Sequence, residues 1–160
     1  GVWQAYRRGR YVRAAVAFIA TAVAGRRVRL GTYGDPAAVP VALWRALVSL
    51  AAGHTGYSHQ WHAIDAREWA PLVMASVDSA AERDAARALG YRTFRVSVDA
   101  SDRAANEVQC PAGKESGARV KCADCLLCGG TTKQAKDVRI LDHAPGWQAR
   151  RVINIRAVGA

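Results

Sequence analysis

The spacing of apolar residues along the first hundred positions follows two patterns, one typical of helices and one typical of strands. The two patterns alternate along the chain, which predicts alternating helices and strands. Residues 11–25 (YVRAAVAFIATAVAG) carry the broad apolar face of a helix, and residues 39–53 (VPVALWRALVSLAAG) carry another. Each stretch ends at a glycine, which is the residue that most often ends a helix. Between them, Val28–Thr32 is typical of a short strand, and it leads into a turn with the sequence Gly-Asp-Pro.

The clearest unit lies between residues 71 and 99. Residues 71–79 (PLVMASVDS) form an apolar run of the kind found in buried strands. Ser79 is followed three residues later by Glu82, which is a capping box and predicts the start of a helix. Residues 91–99 (YRTFRVSVD) return to the alternation of a strand, so the unit is βαβ with parallel strands. We therefore expect an α/β fold, either a partial (β/α) barrel or an open parallel sheet.

The pattern changes after Asp99. Residues 100–137 are polar and glycine-rich with almost no periodicity, and such a long irregular stretch in a compact domain needs something to hold it together. Residues 138–160 predict short strands again, with a turn at Pro-Gly. We expect one domain over residues 1–160, made of an α/β body at 1–99, an irregular segment at 100–137 that contains all four cysteines, and C-terminal strands at 138–160.

The composition predicts a globular protein outside the membrane. Apolar residues make up 51% of the chain and charged residues 22%. The longest apolar stretch, at 14–24, is shorter than the roughly 20 residues that cross a bilayer. No secretory signal peptide is visible, and the sequence opens with Gly-Val-Trp rather than Met, which suggests a fragment. We expect a cytoplasmic protein of a bacterial host cell.

All the cysteines of the chain lie within residues 110–128. They are Cys110, Cys122, Cys125 and Cys128, spaced C-x11-C-x2-C-x2-C. Gaps of two residues allow successive thiolates to converge on one centre, whereas a disulfide framework does not usually bunch its cysteines in this way. The four cysteines are therefore predicted metal ligands, and ligation would supply the folding energy that the irregular segment lacks.

The spacing favours a [4Fe–4S] cluster over zinc. Zinc ribbons use two separated C-x2-C knuckles, whereas this chain has one isolated cysteine and a C-x2-C-x2-C triplet. Such a triplet with a remote Cys-Pro is typical of bacterial [4Fe–4S] ligation, and Cys110-Pro111 fits the remote position. Zinc remains the alternative, with His143 as a conceivable further ligand.

The charge of the chain is +10 and its pI is about 10.1. The first thirty residues contain no acidic residue, and arginine, whose planar guanidinium suits phosphate, greatly outnumbers lysine. This pattern indicates binding to nucleic acid or another polyanion, although a solvated arginine-rich face has the same composition. The predicted contacts are Arg7, Arg8, Arg10, Arg13, Arg26 and Arg27. A second basic cluster comprises Arg139, Arg150, Arg151 and Arg156.

A separate candidate site lies at the predicted ends of strands, where α/β proteins bind their ligands. Its members are Asp35, His59 and Asp78, with His54, His62, Tyr57 and Trp61 nearby in the sequence. Proton transfer and aromatic stacking are the chemistry that this group offers. Each member also has a structural explanation: Asp35 as a helix cap, His59 as a satisfied core residue and Asp78 as a turn residue.

Several stretches together resemble an uncharacterised family of bacteriophage and prophage proteins. They are YRRGRY, LGTYGDPAAVP, TGYSHQW, MASVDSAAE, GYRTFRV and the block from Cys110-Pro111 to Cys128-Gly129, so the resemblance covers nearly the whole chain. It implies no established activity. It does imply further cysteines upstream of YRRGRY, where this sequence begins.

The combination of an α/β repeat and a cysteine cluster is also distantly similar to radical-SAM-type barrels. The C-x3-C-x2-C signature of those enzymes is absent, and the C-terminal position is closer to that of their auxiliary clusters. We therefore expect a phage-associated [4Fe–4S] protein that binds or acts on nucleic acid. The alternatives are a radical-SAM-like enzyme that uses Asp35, His59 and Asp78, and a zinc-stabilised interaction module without catalysis.

Overall fold

The computed structural model describes residues 1–11, 14–132 and 135–141. Its helices are α1 (Val2–Arg7), α2 (Val16–Val23), α3 (Val41–Val48), α4 (Ala66–Trp69), α5 (Ala80–Ala88) and α6 (Cys122–Cys125). Its strands are β1 (Arg27–Arg29), β2 (Gly53–Thr55), β3 (Tyr57–Ser58), β4 (Met74–Val77), β5 (Thr93–Ser97), β6 (Glu107–Gln109) and β7 (Asp137–Leu141). None of the described helices is long and apolar enough to cross a membrane.

Every described strand pair is parallel, so the predicted α/β class is confirmed. Five strands form one sheet in the order β3-β4-β5-β7-β6, and β1 pairs with β2 alone. The predicted βαβ unit is β4-α5-β5, in which Ala75 lies opposite Thr93. The sheet is compatible with an open α/β fold.

The N-terminus of α5 follows the predicted capping box with one difference. The Ser79 hydroxyl accepts a hydrogen bond from the Glu82 N–H at 3.1 Å, as expected. The Glu82 carboxylate, however, accepts from the N–H of Asp78 at 2.8 Å, one residue before the cap. Both bonds satisfy amides at the beginning of the helix, and a cap of this kind stabilises a helix by about 1 kcal/mol.

The two faces of the sheet pack against different material because side chains alternate along β4. Ala75 and Val77 belong to a core with the buried Trp61 and Trp69, against which α3 packs. Met74 points to the other face, where Val138 and Cys110 are buried together with the half-buried Tyr57, Phe94, Leu127, Cys128 and Ile140. The cysteine segment therefore covers the face of the sheet opposite to the helices.

The edge strand β6 is held by a buried ion pair that links it to β5. The Arg95 guanidinium donates to both carboxylate oxygens of Glu107 at 2.7 Å and to Asp102 at 2.7 Å. Arg95 and Glu107 are 1% and 2% exposed. Burial raises the pKa of Glu107, but the hydrogen bonds from Arg95 and from the Ala104 N–H, with the charge of Arg95, outweigh burial and lower it overall.

Some predicted elements differ from the observed ones. The first predicted helix is shorter, since α2 covers only Val16–Val23, and the strand predicted at Val28–Thr32 is Arg27–Arg29. The segment predicted as irregular contains β6, whose polar sequence Glu-Val-Gln shows no strand pattern. The C-terminal strands begin as predicted with β7. The Pro-Gly turn, His143 and the strand beyond it lie outside the described residues.

Candidate metal centre

The structure brings the four cysteines to one cavity of about 150 Å³ on the face of the sheet opposite to α3. Cys110 directly follows β6, Cys122 and Cys125 are the first and last residues of α6, and Cys128 follows three residues later. All four are free thiols. The rest of the lining is mostly apolar and includes Tyr57, Phe94, Leu126, Leu127, Val138 and Ile140. The four cysteines of the C-x11-C-x2-C-x2-C motif therefore lie around one cavity in the fold.

Backbone hydrogen bonds position the remote cysteine and the last one against the sheet. The Cys110 N–H donates to the Arg139 carbonyl at 2.7 Å, which extends the pairing of β6 with β7. The Gly56 N–H donates to the Cys128 carbonyl at 2.9 Å. Gly56 lies between β2 and β3 and belongs to neither strand. Its N–H therefore bonds to the cysteine segment rather than to a neighbouring strand.

The chain reverses between Cys125 and Cys128 at Leu126. Leu126 has φ 51°, and it is the one non-glycine residue with a positive φ in the described chain. This left-handed conformation is costly for a leucine, by about 1 kcal/mol or more, and it persists only where the surroundings impose it. It ends α6 and places Cys128 on the same cavity as Cys125.

Arg92 anchors the cysteine segment from the sheet side. Its Nη1 donates to the carbonyls of Leu127 at 2.8 Å and Gly130 at 2.7 Å, and its Nη2 donates to the Lys136 carbonyl at 2.5 Å. Burial lowers the pKa of Arg92, while the charges of Cys128 and Asp137 raise it. A guanidinium remains protonated in a protein, so Arg92 contributes a fixed positive charge beside Cys128.

The four thiols differ in their access to solvent. Cys110 is buried, Cys125 and Cys128 are half-buried, and Cys122 is exposed. Burial raises the pKa of Cys110, and burial followed by the charges of Cys110 and Cys125 raises the pKa of Cys128 to about 12. Four thiolates around one apolar cavity would repel one another, and a bound cation offsets both their repulsion and their desolvation.

Four cysteines line one cavity, and thiolates are ligands for zinc and for iron–sulfur clusters alike. Within residues 1–11, 14–132 and 135–141, no three His, Cys, Asp or Glu side chains are gathered closely enough to hold one metal ion. The donor set, four cysteines around an apolar cavity, has the ligand chemistry of a thiolate-bound centre.

Two arginines of β1 lie next to this cavity. Arg27 and Arg29 are two residues apart on a strand and therefore project from the same face, while Val28 packs into the helical core. Arg27 donates to the Asp124 carboxylate of α6 at 2.6 Å. Arg29 lines the cavity and bonds the Tyr57 hydroxyl, and the Tyr57 ring stacks on Phe94 with centroids 4.7 Å apart.

The remaining predicted arginines do not lie together at one site. Arg7, Arg8 and Arg10 are exposed on α1 or just after it, and Arg26 is exposed beside β1. Arg13 and three members of the second basic cluster, Arg150, Arg151 and Arg156, lie outside the described residues. Arg139 is not part of a basic surface, because it is 4% exposed on the interior strand β7 and its guanidinium donates to three carbonyls and to Gln109.

The residues of the other predicted site have different surroundings, and Asp35 has a structural role. The Asp35 carboxylate accepts hydrogen bonds from the Ala37 N–H at 2.9 Å, the Ser58 hydroxyl at 2.6 Å and the His59 N–H at 2.8 Å. It therefore caps the turn at Pro36–Ala38 and ties that turn to β3. All three donors are protein groups, which favours the structural explanation for Asp35.

His59 and Asp78 do share a cavity, of about 280 Å³, at the carboxyl ends of β3 and β4. Its lining is His59, Trp61, His62, Ser76, Asp78 and Glu82. The His59 Nε2 lies 3.0 Å from the Ser76 hydroxyl. Ser76 was not a predicted site residue, because a serine inside an apolar strand has no distinguishing sequence signal.

Comparison of this chain with protein-family models, with curated proteins and with solved structures finds no match. The fold and the site define its class: an α/β protein with a parallel sheet, one face of which carries a four-cysteine cavity.

Proposed function

We propose that this chain is a phage-associated iron–sulfur protein that binds nucleic acid, with Cys110, Cys122, Cys125 and Cys128 as the ligands of a [4Fe–4S] cluster. The observation that carries the proposal is the convergence of all four cysteines on one mostly apolar cavity. The segment that bears them has only three short helical turns of its own and needs an additional source of folding energy.

The size of the cavity supports a cluster rather than zinc. A cubane of four irons and four sulfides holds its thiolates at the corners of a larger tetrahedron than one zinc ion does. The four cysteines line a cavity of about 150 Å³, which has room for more than a single ion. An apolar lining also suits a cluster, whose reduction potential depends on its shielding from solvent.

A cluster with four cysteine ligands has no iron left open. A radical-SAM-like reaction needs an iron with a free coordination position, so the ligand set favours a structural or electron-transfer role over that alternative. The cavity of His59, Ser76 and Asp78 lies at the carboxyl ends of β3 and β4 and shares no lining residue with the cysteine cavity.

The basic charge supports nucleic acid as the partner. The chain carries +10, and Arg7, Arg8, Arg10, Arg26 and Arg27 are all exposed. Guanidinium groups bind phosphate through paired hydrogen bonds, and contacts with several phosphates release condensed counterions. Such binding weakens steeply as the salt concentration rises.

Anaerobic purification with an absorbance spectrum and analysis of iron, sulfide and zinc tests the metal. We expect a brown protein with a broad visible band and near-equal iron and sulfide. A colourless protein with stoichiometric zinc would overturn the cluster and leave the zinc-stabilised module. A gel shift over a salt series tests the partner, and the absence of any shift at low salt would overturn nucleic-acid binding.

A further inference from the structure

One surface of the molecule contains both a proposed cluster ligand and basic residues that could bind nucleic acid. The cluster mouth comprises Arg27, Arg29, Lys121 and Cys122, where β1 meets α6. Arg27 bonds Asp124 of α6 at 2.6 Å, and Arg29 lines the cysteine cavity itself. Lys121 is exposed and immediately precedes Cys122, the exposed cysteine. At this surface the proposed cluster and three cations meet the solvent together.

The cations of the cluster mouth are positioned by the fold. Val28 is packed in the core between them, so Arg27 and Arg29 both project towards the cysteine segment. Their strand pairs in register with β2, with Arg27 opposite Gly53 and Arg29 opposite Thr55. Arg7, Arg8 and Arg10, in contrast, lie at the end of α1 and just after it. They form a second group of exposed arginines on a different element.

We propose that the phosphodiester backbone of nucleic acid binds across the cluster mouth, and that its affinity depends on the oxidation state of the cluster. This inference rests on the proposed function, since it requires both the cluster and the partner. It goes further by choosing one of the two arginine groups and by coupling binding to the charge of the metal centre.

The coupling follows from electrostatics. When the cluster accepts one electron from a low-potential donor such as dithionite, no bond to the protein forms or breaks, and the centre gains one negative charge. A phosphate held by Arg29, which lines the cysteine cavity, then lies near a more negative centre, and physiological salt screens charges at such short range only in part. Reduction should therefore weaken binding, by about two- to tenfold.

The same coupling must act in reverse, because binding and reduction are linked equilibria. Bound nucleic acid disfavours the reduced cluster by the factor through which reduction weakens binding. For a one-electron couple, a tenfold change in affinity corresponds to a midpoint potential about 59 mV lower. The two effects are measured independently and must agree.

Asp124 offers a variant whose expected effect has the opposite sign. Arg27 and Asp124 are both about half exposed, at 49% and 60% of the side chain, so the pair contributes little to stability. Asp124→Asn removes a negative charge from the cluster mouth and releases Arg27. We expect it to raise the affinity about two- to fivefold, whereas Arg27→Gln and Lys121→Gln lower it by a similar factor.

The experiment is anaerobic fluorescence anisotropy of a labelled oligonucleotide with the cluster-loaded protein, either as purified or reduced with dithionite, at low salt. The variants are Arg27→Gln, Lys121→Gln, Asp124→Asn, the triple change of Arg7, Arg8 and Arg10 to Gln, and the control Arg67→Gln, which alters an exposed arginine of α4. Retention of the visible absorbance shows that each variant is folded and loaded. Redox titration with and without the oligonucleotide supplies the midpoint potentials.

The outcomes distinguish the inference from the proposed function. Weaker binding on reduction, a matching fall in midpoint potential and opposite effects of Asp124→Asn and Lys121→Gln support the inference. If the cluster-loaded protein binds equally well in both oxidation states, the inference is overturned and the proposed function stands. The same holds if only the triple variant of Arg7, Arg8 and Arg10 weakens binding. Equal competition by polyglutamate also overturns the inference, in favour of an acidic protein partner. A protein without iron, or without binding in either state, overturns the proposed function itself.

Discussion

The guanidinium of Arg92 donates a hydrogen bond to the carbonyl oxygen of Leu127 at 2.8 Å. Leu127 immediately precedes Cys128 in the sequence. Arg92 directly precedes β5, and the same side chain also holds carbonyls at Gly130 and Lys136. One buried residue thus fixes the segment before and after the last cysteine. The geometry of the cavity depends on this residue although it ligates nothing.

Arg92→Met should therefore reduce both stability and cluster content. The change leaves three carbonyls without their donor, and we expect a loss of roughly 2–4 kcal/mol in the free energy of unfolding. Lysine at this position can reach only part of the set and should restore part of the loss. Urea unfolding and the iron content of anaerobic preparations measure the two effects. Equal iron content in wild type and Arg92→Met would contradict the anchoring role.

Gly130 provides a test of how closely the cysteine segment is packed. It has φ 65°, and a Cβ at this position would lie 2.5 Å from the carbonyl oxygens of Ala70 and Pro71. Gly130→Ala should destabilise the protein by about 1–3 kcal/mol from backbone strain, plus the cost of displacing two carbonyls. Gly117→Ala is the matched control, because Gly117 has φ 66° and nothing within 4 Å of its Cβ position. Similar thermal unfolding of both variants would show that the contact is unimportant.

The exposure of the cysteines predicts which ligand an external thiol can replace. Cys122 is exposed, whereas Cys110 is buried. In Cys122→Ala, 2-mercaptoethanol should reach the vacant position and restore the visible absorbance. In Cys110→Ala, it should not, because that position is buried. Rescue of both variants, or of neither, would mean that solvent access does not differ between the two ligand positions.

The Arg95–Glu107 pair predicts an acid limit to stability. The pKa of Glu107 is lowered in the folded protein from its ordinary value of 4.5, so its contribution is complete above that pH and is lost as the pH falls through the folded value. Glu107→Gln removes one of the two carboxylate partners of Arg95 and leaves Asp102 as the other, so it should cost about 3 kcal/mol near neutral pH. The difference between wild type and variant should shrink as the pH falls below 4.5.

Urea unfolding across this range measures the difference, and Glu68→Gln is the control. Glu68 forms only a long, half-exposed ion pair with Arg45 at 3.5 Å. A difference between wild type and Glu107→Gln that stays constant down to low pH would show that Glu107 is not ionised in the folded protein.

Local signals in the sequence predicted the parts of the fold that depend on local structure. Ser79 and Glu82 identified the beginning of α5, and the apolar run ending near Val77 identified β4, because caps and buried strands have their own residue patterns. The spacing of the cysteines pointed to a shared centre. In each case the interacting residues are close in the sequence.

The missed features depend on contacts between distant residues. Glu107 forms a strand without a strand pattern, because its burial is compensated by Arg95 from β5. Arg139 was assigned to a basic surface by composition, but β7 lies between β5 and β6 and buries it. Arg92 had no signal at all, since its partners are backbone carbonyls far along the chain. Such roles follow from strand order, which the sequence pattern does not contain.

The strand order also constrains how the protein matures. In the described sheet β6 pairs only with β7, and the cysteine segment lies between them in the chain. During synthesis β6 and all four cysteines therefore leave the ribosome before the strand that joins β6 to the sheet. Val138 and Ile140 of β7 line the cavity, so its wall is complete only after β7 has paired with β5 and β6. We therefore expect the proposed cluster to be loaded most easily before that last strand pairs.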